Sequence, residues 1–261
     1  MIFLIKQGQK MRNEKDSGWQ DVSDWYQECV GHRGHYYHQH LILPALKKHL
    51  QTDHLKSVLD LGCGQGVFER TLPSDCFYTG VDASSRLLEM AQKQQIKTAK
   101  RQWLLHDLNE PLKLDHQYDL ALFLLSLQNI KDPKTALTSA RKHLNPGGKL
   151  AIVMNHPCFR IPRQSDWLEL PSRGIARVIH HYMSPLQIPI KAHPSQAEST
   201  QSLSYHHSLT DLFGFLEAAG LKVAHLEEWN CCKTSEGGKA RLENRARAQI
   251  PLFLYIVATA A

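Results

Sequence analysis

The chain has 261 residues, of which 42% are hydrophobic and 21% charged, values typical of a globular protein that buries a full core. Its short apolar start cannot serve as a signal segment or a membrane span. We therefore expect a cytoplasmic protein without a membrane partner, in which residues 1–10 are a disordered tail or precede the true start at Met11.

Cysteine, histidine and charge patterns exclude several kinds of site. The six cysteines contain no CxxC pair, and the four clustered histidines among the sixteen, His32, His35, His38 and His40, have no carboxylate or cysteine cluster beside them, so we predict neither a disulfide framework nor a metal site. The net charge of +6 comes from scattered basic residues. That scatter disfavours a nucleic-acid partner.

Strand-length apolar runs alternate with helical stretches in the first half of the chain, a pattern typical of βα units that form a parallel sheet. The predicted strands are residues 57–61, 77–81, 102–105, 118–123 and 149–154. Helices are predicted at 84–95, capped by Ser84 or Ser85, at 132–144, capped by Asp132, and from about Val67. The Asn-Pro-Gly-Gly run at 145–148 predicts a helix stop and a tight turn.

The pattern breaks at residues 156–208, which we interpret as a lid or a disordered insertion. It resumes with a helix at 208–220 and strands at 221–226 and 250–260, whereas helices at 19–30 and 35–50 precede the first strand. The predicted fold is α/β, a doubly wound, seven-stranded, mostly parallel sheet with N-terminal helices and an insertion after the fifth strand. The domains are then 1–50, a tail with cap helices, and 51–261, the main domain with the lid-like insertion.

The strongest motif is VLDLGCGQG at residues 58–66, where a strand ends in Asp60 and a glycine turn containing Gly62, Cys63, Gly64 and Gly66 follows. Such glycines allow a ligand to approach the backbone closely. The GxGxG spacing differs from the GxGxxG of dinucleotide sites. Asp60 would repel a pyrophosphate but attract an ammonium group, which favours a sulfonium cofactor without phosphate over NAD.

Two later strands also end in acids. Asp82 follows the second strand, where an acid can accept hydrogen bonds from both hydroxyls of a ribose. Asp107 and Leu108 follow the third strand and can bind an adenine. Since the ends of parallel strands meet at one edge of a sheet, we predict one adenosyl pocket there. The predicted contact set also includes the neighbours Ala83, Ser84 and His106.

Residues 57–154 resemble the core of class I S-adenosylmethionine-dependent methyltransferases in DLGCGQG, VDAS, YDLALFLLSLQNIKDP and LNPGGKL. The resemblance implies S-adenosylmethionine as cofactor, bound along Asp60, Asp82 and Asp107, with Phe123 and Leu124 beside it. Flanking segments, among them NHPCF and EWNCCK, are similar to a bacterial subgroup of small-molecule and quinone methyltransferases. That subgroup commonly has a histidine pair after the fourth strand, where this chain has Gln128 and Asn129.

Methyl transfer from a sulfonium is an in-line displacement, so the protein mainly aligns the reactants and excludes water. A base is needed only where the acceptor must lose a proton, and we predict His156, at the end of the fifth strand, for that role. Further candidates are His180, His181, Tyr182, His206 and His207. Tyr36 and His40 share a predicted helix face that could cover the cofactor, and Arg160, Arg163 and Trp167 could bind an anionic or aromatic acceptor.

Three functions remain open at this point. The first is a methyltransferase acting on an oxygen, nitrogen or carbon atom of a small molecule, the second an RNA or protein methyltransferase, and the third a non-catalytic adenosyl-binding protein. The sequence identifies neither the acceptor nor the oligomeric state, since one fold hosts many methyl acceptors.

Overall fold

A computed structural model describes residues 19–20, 22–98, 100–171, 174–191 and 201–261. The predicted tail at 1–10 lies outside these residues. The strands are β1 Ser57–Leu61, β2 Phe77–Asp82, β3 Arg101–Leu105, β4 Tyr118–Leu124, β5 Leu144–Asn155, β6 Ser165–Leu170, β7 Gly174–Ile179, β8 Leu186–Lys191, β9 Gln201–His206, β10 Leu221–Trp229 and β11 Phe253–Ala260. The α-helices are α1 Ser23–Val30, α2 Leu43–Leu50, α3 Ser85–Gln94, α4 Pro133–Lys142, α5 Leu209–Ala218 and α6 Ala240–Gln249.

Seven strands form the central sheet in the order β10-β11-β5-β4-β1-β2-β3. Strands β1, β2, β3, β4 and β5 pair in parallel, whereas β11 runs antiparallel to both of its neighbours. This confirms the predicted α/β fold with a seven-stranded, mostly parallel sheet. The chain order reverses between β1 and β4, and such a reversal opens a crevice at the carboxyl ends of the strands.

Hydrophobic side chains cover both faces of the sheet, because successive residues of a strand point to opposite sides. Leu59 belongs to the buried cluster that includes residues of α4 and α5. Val58, its neighbour in β1, belongs to the cluster that includes Leu46 of α2. With both faces covered, the strand ends are the places left for a site.

The segment after the glycine turn differs from the prediction. Instead of a helix from Val67, it forms one 3₁₀ turn, Glu69–Thr71, after which Leu72 is extended. Pro73 explains the early stop, since a proline disfavours helical dihedrals in the residue before it. The buried Glu69 carboxylate also accepts a hydrogen bond from Arg101 of β3 at 2.5 Å, which fixes this turn against the sheet.

The Asn-Pro-Gly-Gly run also differs from the prediction. Helix α4 ends at Lys142, and β5 already begins at Leu144, so residues 145–148 belong to the strand. The pairing of β4 with β5 shifts register there, and Gly147 has φ +78°. The four residues form an irregular start of the strand, where a positive φ requires glycine.

The helical segment before β1 contains a π-helical stretch, His38–Ile42, that leads directly into α2. Pro44 lies at the start of α2. A proline has no N–H to donate, so the local hydrogen-bond pattern must change at this point. The π-helical stretch rotates the residues before it relative to α2 and so changes which of their side chains face the strand ends.

The predicted insertion contains two antiparallel hairpins, β6 with β7 and β8 with β9. Helix α6 was not predicted and occupies part of the polar segment before the last strand. Among the described helices, none combines the length and apolar character needed to cross a membrane.

Candidate functional site

A cleft of about 770 Å³ lies at the carboxyl ends of β1, β2, β3 and β4, where the strand order reverses. It is lined by Trp19, Tyr26, His35, His38, Gly62, Gly64, Asp82, Ala83, Leu87, His106, Asp107, Leu108, Asn109, Leu124, Leu125, Ser126, Asn129 and Ile130. Eight of these belong to the predicted contact set: Gly62, Gly64, Asp82, Ala83, His106, Asp107, Leu108 and Leu124.

The glycine turn forms one wall of the cleft, with Gly62 at φ +75° and Gly64 at φ +54°. The backbone N–H of Gly62 donates to Val81 O at 2.8 Å, so the turn is fixed to β2. On the other side, Ser126 Oγ donates to Leu61 O at 2.6 Å. A side chain at residue 62 would collide with Ser126, because a Cβ there would lie 2.5 Å from Ser126 Cβ.

Asp82 connects the glycine turn to α3. Its Oδ2 accepts a hydrogen bond from the N–H of Gly64 at 2.8 Å, and its Oδ1 accepts one from the N–H of Ser84 at 2.9 Å. A carboxylate can accept about four hydrogen bonds, so both oxygens can still accept a bond from a ligand. Burial raises the pKa of Asp82, while these backbone N–H groups oppose that rise.

Asp60 lies beneath the cleft and does not line it. It is buried, and its Oδ2 accepts a hydrogen bond from the Tyr78 hydroxyl at 2.8 Å. Its Oδ1 has no hydrogen-bond partner among the described residues. Burial raises the pKa of Asp60 to about 7. A cation placed near this carboxylate would favour its ionised form.

The loop after β3 forms the far end of the cleft. Asp107 Oδ1 accepts hydrogen bonds from the backbone N–H of Asn109 at 3.0 Å and from its side-chain amide at 2.7 Å. Asn109 Oδ1 in turn accepts from the N–H of Asp132, the N-cap of α4, at 2.9 Å. The loop is thereby held against α4, while the side chain of Leu108 is buried at the cleft wall.

The N-terminal segment contributes different residues from those predicted. Tyr36 and His40 are both exposed and pack on each other, with ring centroids 4.4 Å apart, and neither lines the cleft. His35 and His38 line it instead. Because the segment is π-helical from His38 onward, α-helical spacing does not identify which of its side chains face the cleft. Burial lowers the pKa of His38 to about 3, so this imidazole is neutral.

Four further members of the predicted contact set lie behind the cleft wall. Phe123 is fully buried in the core, and Cys63 lies on the side of the turn that faces Gly80. Gly66 leaves room for Trp103, whose ring would be 2.7 Å from a Cβ at residue 66. Ser84 caps α3 by accepting a hydrogen bond from the N–H of Leu87. These residues shape the turn without forming the cleft surface.

His156, the predicted base, does not reach the cleft. Its imidazole is buried, with Nε2 donating to Glu228 Oε1 at 2.6 Å and Nδ1 accepting from the N–H of Cys158 at 3.2 Å. Both ring nitrogens are thus used inside the protein, and burial lowers the pKa of the imidazole. The geometry assigns His156 to holding the start of the insertion against β10.

A second cavity of about 310 Å³ lies between the ends of β4 and β5 and the insertion. It is lined by Gln128, Met154, Asn155, Pro157, Arg160, Ile161, Pro162, Ser204, Tyr205, His206 and His207. Gln128 lines this cavity and its neighbour Asn129 lines the cleft, so the 3₁₀ turn Leu127–Asn129 separates the two spaces. Arg160, predicted to bind the acceptor, and His206 and His207, predicted as candidate bases, are found here.

The described residues also include a cluster of His49, His225 and Glu227 between α2 and β10, which has the composition of a metal site. In the structure these groups pair with one another, Glu227 lying 3.1 Å from His49 Nε2 and 3.0 Å from His225 Nε2. Glu227 Oε2 also accepts a hydrogen bond from Trp229 Nε1 at 2.7 Å. None of the three residues lines the cleft.

Comparisons with known proteins agree with this geometry. A family model described as a methyltransferase domain matches residues 30–226. A crystal structure of an S-adenosylmethionine-dependent methyltransferase from Mesorhizobium loti is 25% identical, with a TM-score of 0.64 over 82% of this chain and 95% of that one. The chain belongs to the class I S-adenosylmethionine-dependent methyltransferases. The resemblance inferred from its motifs is confirmed, and so is S-adenosylmethionine as the cofactor of the class.

Curated relatives of this methyltransferase include enzymes that act on quinones. A demethylmenaquinone methyltransferase from Chlamydia pneumoniae is 31% identical over 160 residues, which are 60% of this chain and 68% of that protein. A demethylmenaquinone methyltransferase from Tropheryma whipplei (strain Twist) is 31% identical over 104 residues, or 39% of this chain and 43% of that protein. The chain thus matches less than half of the second relative.

The contact between Gly62 and Ser126 predicts a specific loss of stability. Gly62→Ala and Gly220→Ala both place a side chain at a strongly positive φ, +75° and +71°, but of these two only a Cβ at residue 62 would have a neighbour within 4 Å among the described residues. We expect Gly220→Ala to lower the free energy of unfolding by about 1–2 kcal/mol. Gly62→Ala should cost about 1–3 kcal/mol more because of the overpacking. Urea unfolding measures both, and equal losses would contradict the close contact.

The raised pKa of Asp60 predicts how cofactor affinity depends on pH. If Asp60 faces the ammonium group of the bound cofactor, binding requires its ionised form, so affinity rises with pH through about 7. Between pH 6 and pH 8 the dissociation constant of S-adenosylhomocysteine should fall by up to about tenfold. Without cofactor, the stability of the chain depends on pH in the opposite direction. Between about pH 4 and pH 7 the folded chain binds one more proton, on Asp60, than the unfolded chain does, so the free energy of unfolding falls as pH rises.

The matched control is Asp60→Asn, which keeps the shape of the side chain and removes the titrating group. Its affinity for S-adenosylhomocysteine should not change between pH 6 and pH 8. A wild-type affinity that is equally flat would place the ammonium group away from Asp60.

Proposed function

We propose that this methyltransferase transfers the methyl group of S-adenosylmethionine to a small-molecule acceptor. The observation that carries the proposal is the pair of adjoining spaces at the strand ends, a cleft of about 770 Å³ and a cavity of about 310 Å³ under the insertion. Both spaces are concave and are lined by side chains from the strand ends and the segments that follow them, a form typical of small-molecule sites rather than of a flat macromolecular interface. The named activities of the curated relatives support the same acceptor class.

The residues of the cleft fit the cofactor. Asp60 lies beneath the cleft at the glycine turn, and its unpaired Oδ1 suits the methionine ammonium group, directly or through water. Asp82 has room for further hydrogen bonds from ribose hydroxyls, and Asp107 with the apolar Leu108 suits an adenine. When bound, S-adenosylmethionine supplies a methyl group on a cationic sulfur, which is transferred by in-line displacement.

The protein's own part is to align the reactants and to exclude water. Apolar side chains of Leu124, Leu125 and Ile130 line the cleft next to Asn129, on the side of the second cavity. There, burial lowers the pKa of His207, so its imidazole is neutral near pH 7. Its Nε2 has no hydrogen-bond partner among the described residues and can hold the proton that an acceptor hydroxyl releases. We therefore propose His207 for the role predicted for His156.

Calorimetric titration with S-adenosylmethionine, S-adenosylhomocysteine and NAD tests the cofactor assignment. We expect both adenosyl ligands to bind in the micromolar range and NAD not to bind. Asp82→Asn removes one of the oxygens that accept hydrogen bonds from ribose hydroxyls, and it should lower the affinity for both adenosyl ligands about tenfold or more.

The matched control is Asp119→Asn. Asp119 also accepts backbone hydrogen bonds, from Lys56 and Ser57, but it lies at the opposite end of β4. This variant should lose stability while its affinity for the adenosyl ligands stays unchanged. Binding of NAD alone, or equal weakening in both variants, would refute the assignment, and salt-sensitive RNA binding would replace the small-molecule acceptor with a nucleic acid.

A further inference from the structure

The second cavity contains an unusual concentration of unpaired polar atoms. Gln128 Oε1, Arg160 Nε and His207 Nε2 are each buried without a hydrogen-bond partner in the described chain, and all three residues line this one space. A buried polar atom left unpaired costs about 1–3 kcal/mol, so folded proteins rarely keep such atoms without a use. Three of them around one cavity indicate a ligand that pairs with all three.

The chemistry of the three atoms limits the ligand. Arg160 Nε can only donate, and its positive charge favours an anionic oxygen. Gln128 Oε1 can only accept, so it requires an O–H or N–H group. The neutral His207 Nε2 can accept the proton of a hydroxyl. A compound that satisfies the cavity therefore carries an acidic oxygen together with a hydroxyl group.

These side chains are held in place by their neighbours. The Arg160 guanidinium lies 5.4 Å from the centroid of the Trp167 ring, a cation–π contact within the insertion. The imidazole of His207 packs edge-on against Phe215 of α5, with centroids 5.0 Å apart. Ser204 Oγ donates to the backbone carbonyl of Gln128 at 3.4 Å, connecting β9 to the turn between the two spaces.

The cavity also adjoins the cofactor cleft. Gln128 and Asn129 are consecutive residues of one 3₁₀ turn and face the two different spaces. Tyr205 of the cavity lies close enough to Asp107 of the cleft for that carboxylate to help raise the pKa of Tyr205, after the larger effect of burial. A ligand in the cavity is therefore next to the cofactor site.

We propose that this cavity binds the methyl acceptor, and that the acceptor is a small compound with an acidic oxygen bound by Arg160 and a hydroxyl whose one proton is shared by Gln128 Oε1 and His207 Nε2 in a three-centre hydrogen bond. This inference rests on the proposed function, because it takes the adjoining cleft as the cofactor site. It adds the chemical class of the acceptor and the residues that select it.

Binding of simple aromatic probes tests the inference without an activity assay. The full chain, saturated with S-adenosylhomocysteine, is titrated with ortho-, meta- and para-hydroxybenzoate, with benzoate, which has no hydroxyl, and with phenol, which has no carboxylate. We expect at least one hydroxybenzoate to bind about tenfold or more tightly than benzoate or phenol, since each polar pair adds to affinity.

Three variants separate the two contacts. Arg160→Gln should lower the affinity for that hydroxybenzoate and for benzoate about tenfold or more and leave the affinity for phenol unchanged. Gln128→Leu should lower the affinity for the hydroxybenzoate and for phenol but not the affinity for benzoate. Arg163→Gln is the matched control, because Arg163 is an exposed arginine of the same segment that does not line the cavity, and it should change no affinity by more than about twofold.

The affinity for S-adenosylhomocysteine distinguishes the two levels of failure. If it is normal in all variants but no hydroxybenzoate binds, or Arg160→Gln binds them as well as the wild type does, the acceptor inference is overturned and the cofactor assignment stands. If S-adenosylhomocysteine does not bind the wild type, the proposed function fails and the inference fails with it.

Discussion

The carboxylate of Asp82 is the contact on which the site depends. By accepting hydrogen bonds from Gly64 and Ser84, it holds together the end of β2, the glycine turn and the first turn of α3. The backbone N–H groups stabilise the ionised carboxylate against the cost of burial. One side chain therefore fixes the wall of the cleft and also presents an acceptor to it, so the folding of the turn and the binding of a ligand depend on the same group.

The parts of the fold that depend on local pattern could be predicted from the sequence. The strands of the parallel sheet are short apolar runs with turn residues between them, and the caps Asp132 and Ser84 are local signals that the structure shows. The acids at three successive strand ends also followed from local pattern, because topology alone brings the ends of parallel strands together. The helix predicted after the glycine turn does not form, and the reason is also local, because the proline at residue 73 stops it.

The parts that depend on tertiary contacts could not be predicted. Helical spacing favoured Tyr36 and His40, whereas a π-helical stretch, beginning at His38 and followed by Pro44, changes which residues of this segment reach the cleft. The position of His156 after β5 suggested a base, but its partner, Glu228, is 72 residues away in the sequence. The second cavity is likewise formed by the insertion packing on the ends of β4 and β5, and sequence pattern gives no signal for such packing.

A crystal structure with S-adenosylhomocysteine and a bound hydroxybenzoate directly tests the assignment of the cleft and the second cavity. We expect the ribose hydroxyls to lie within hydrogen-bond distance of the Asp82 carboxylate. We also expect the acceptor to lie in the second cavity, between Gln128 and Arg160. A ribose bound elsewhere, or an acceptor outside the cavity under the insertion, would contradict that assignment.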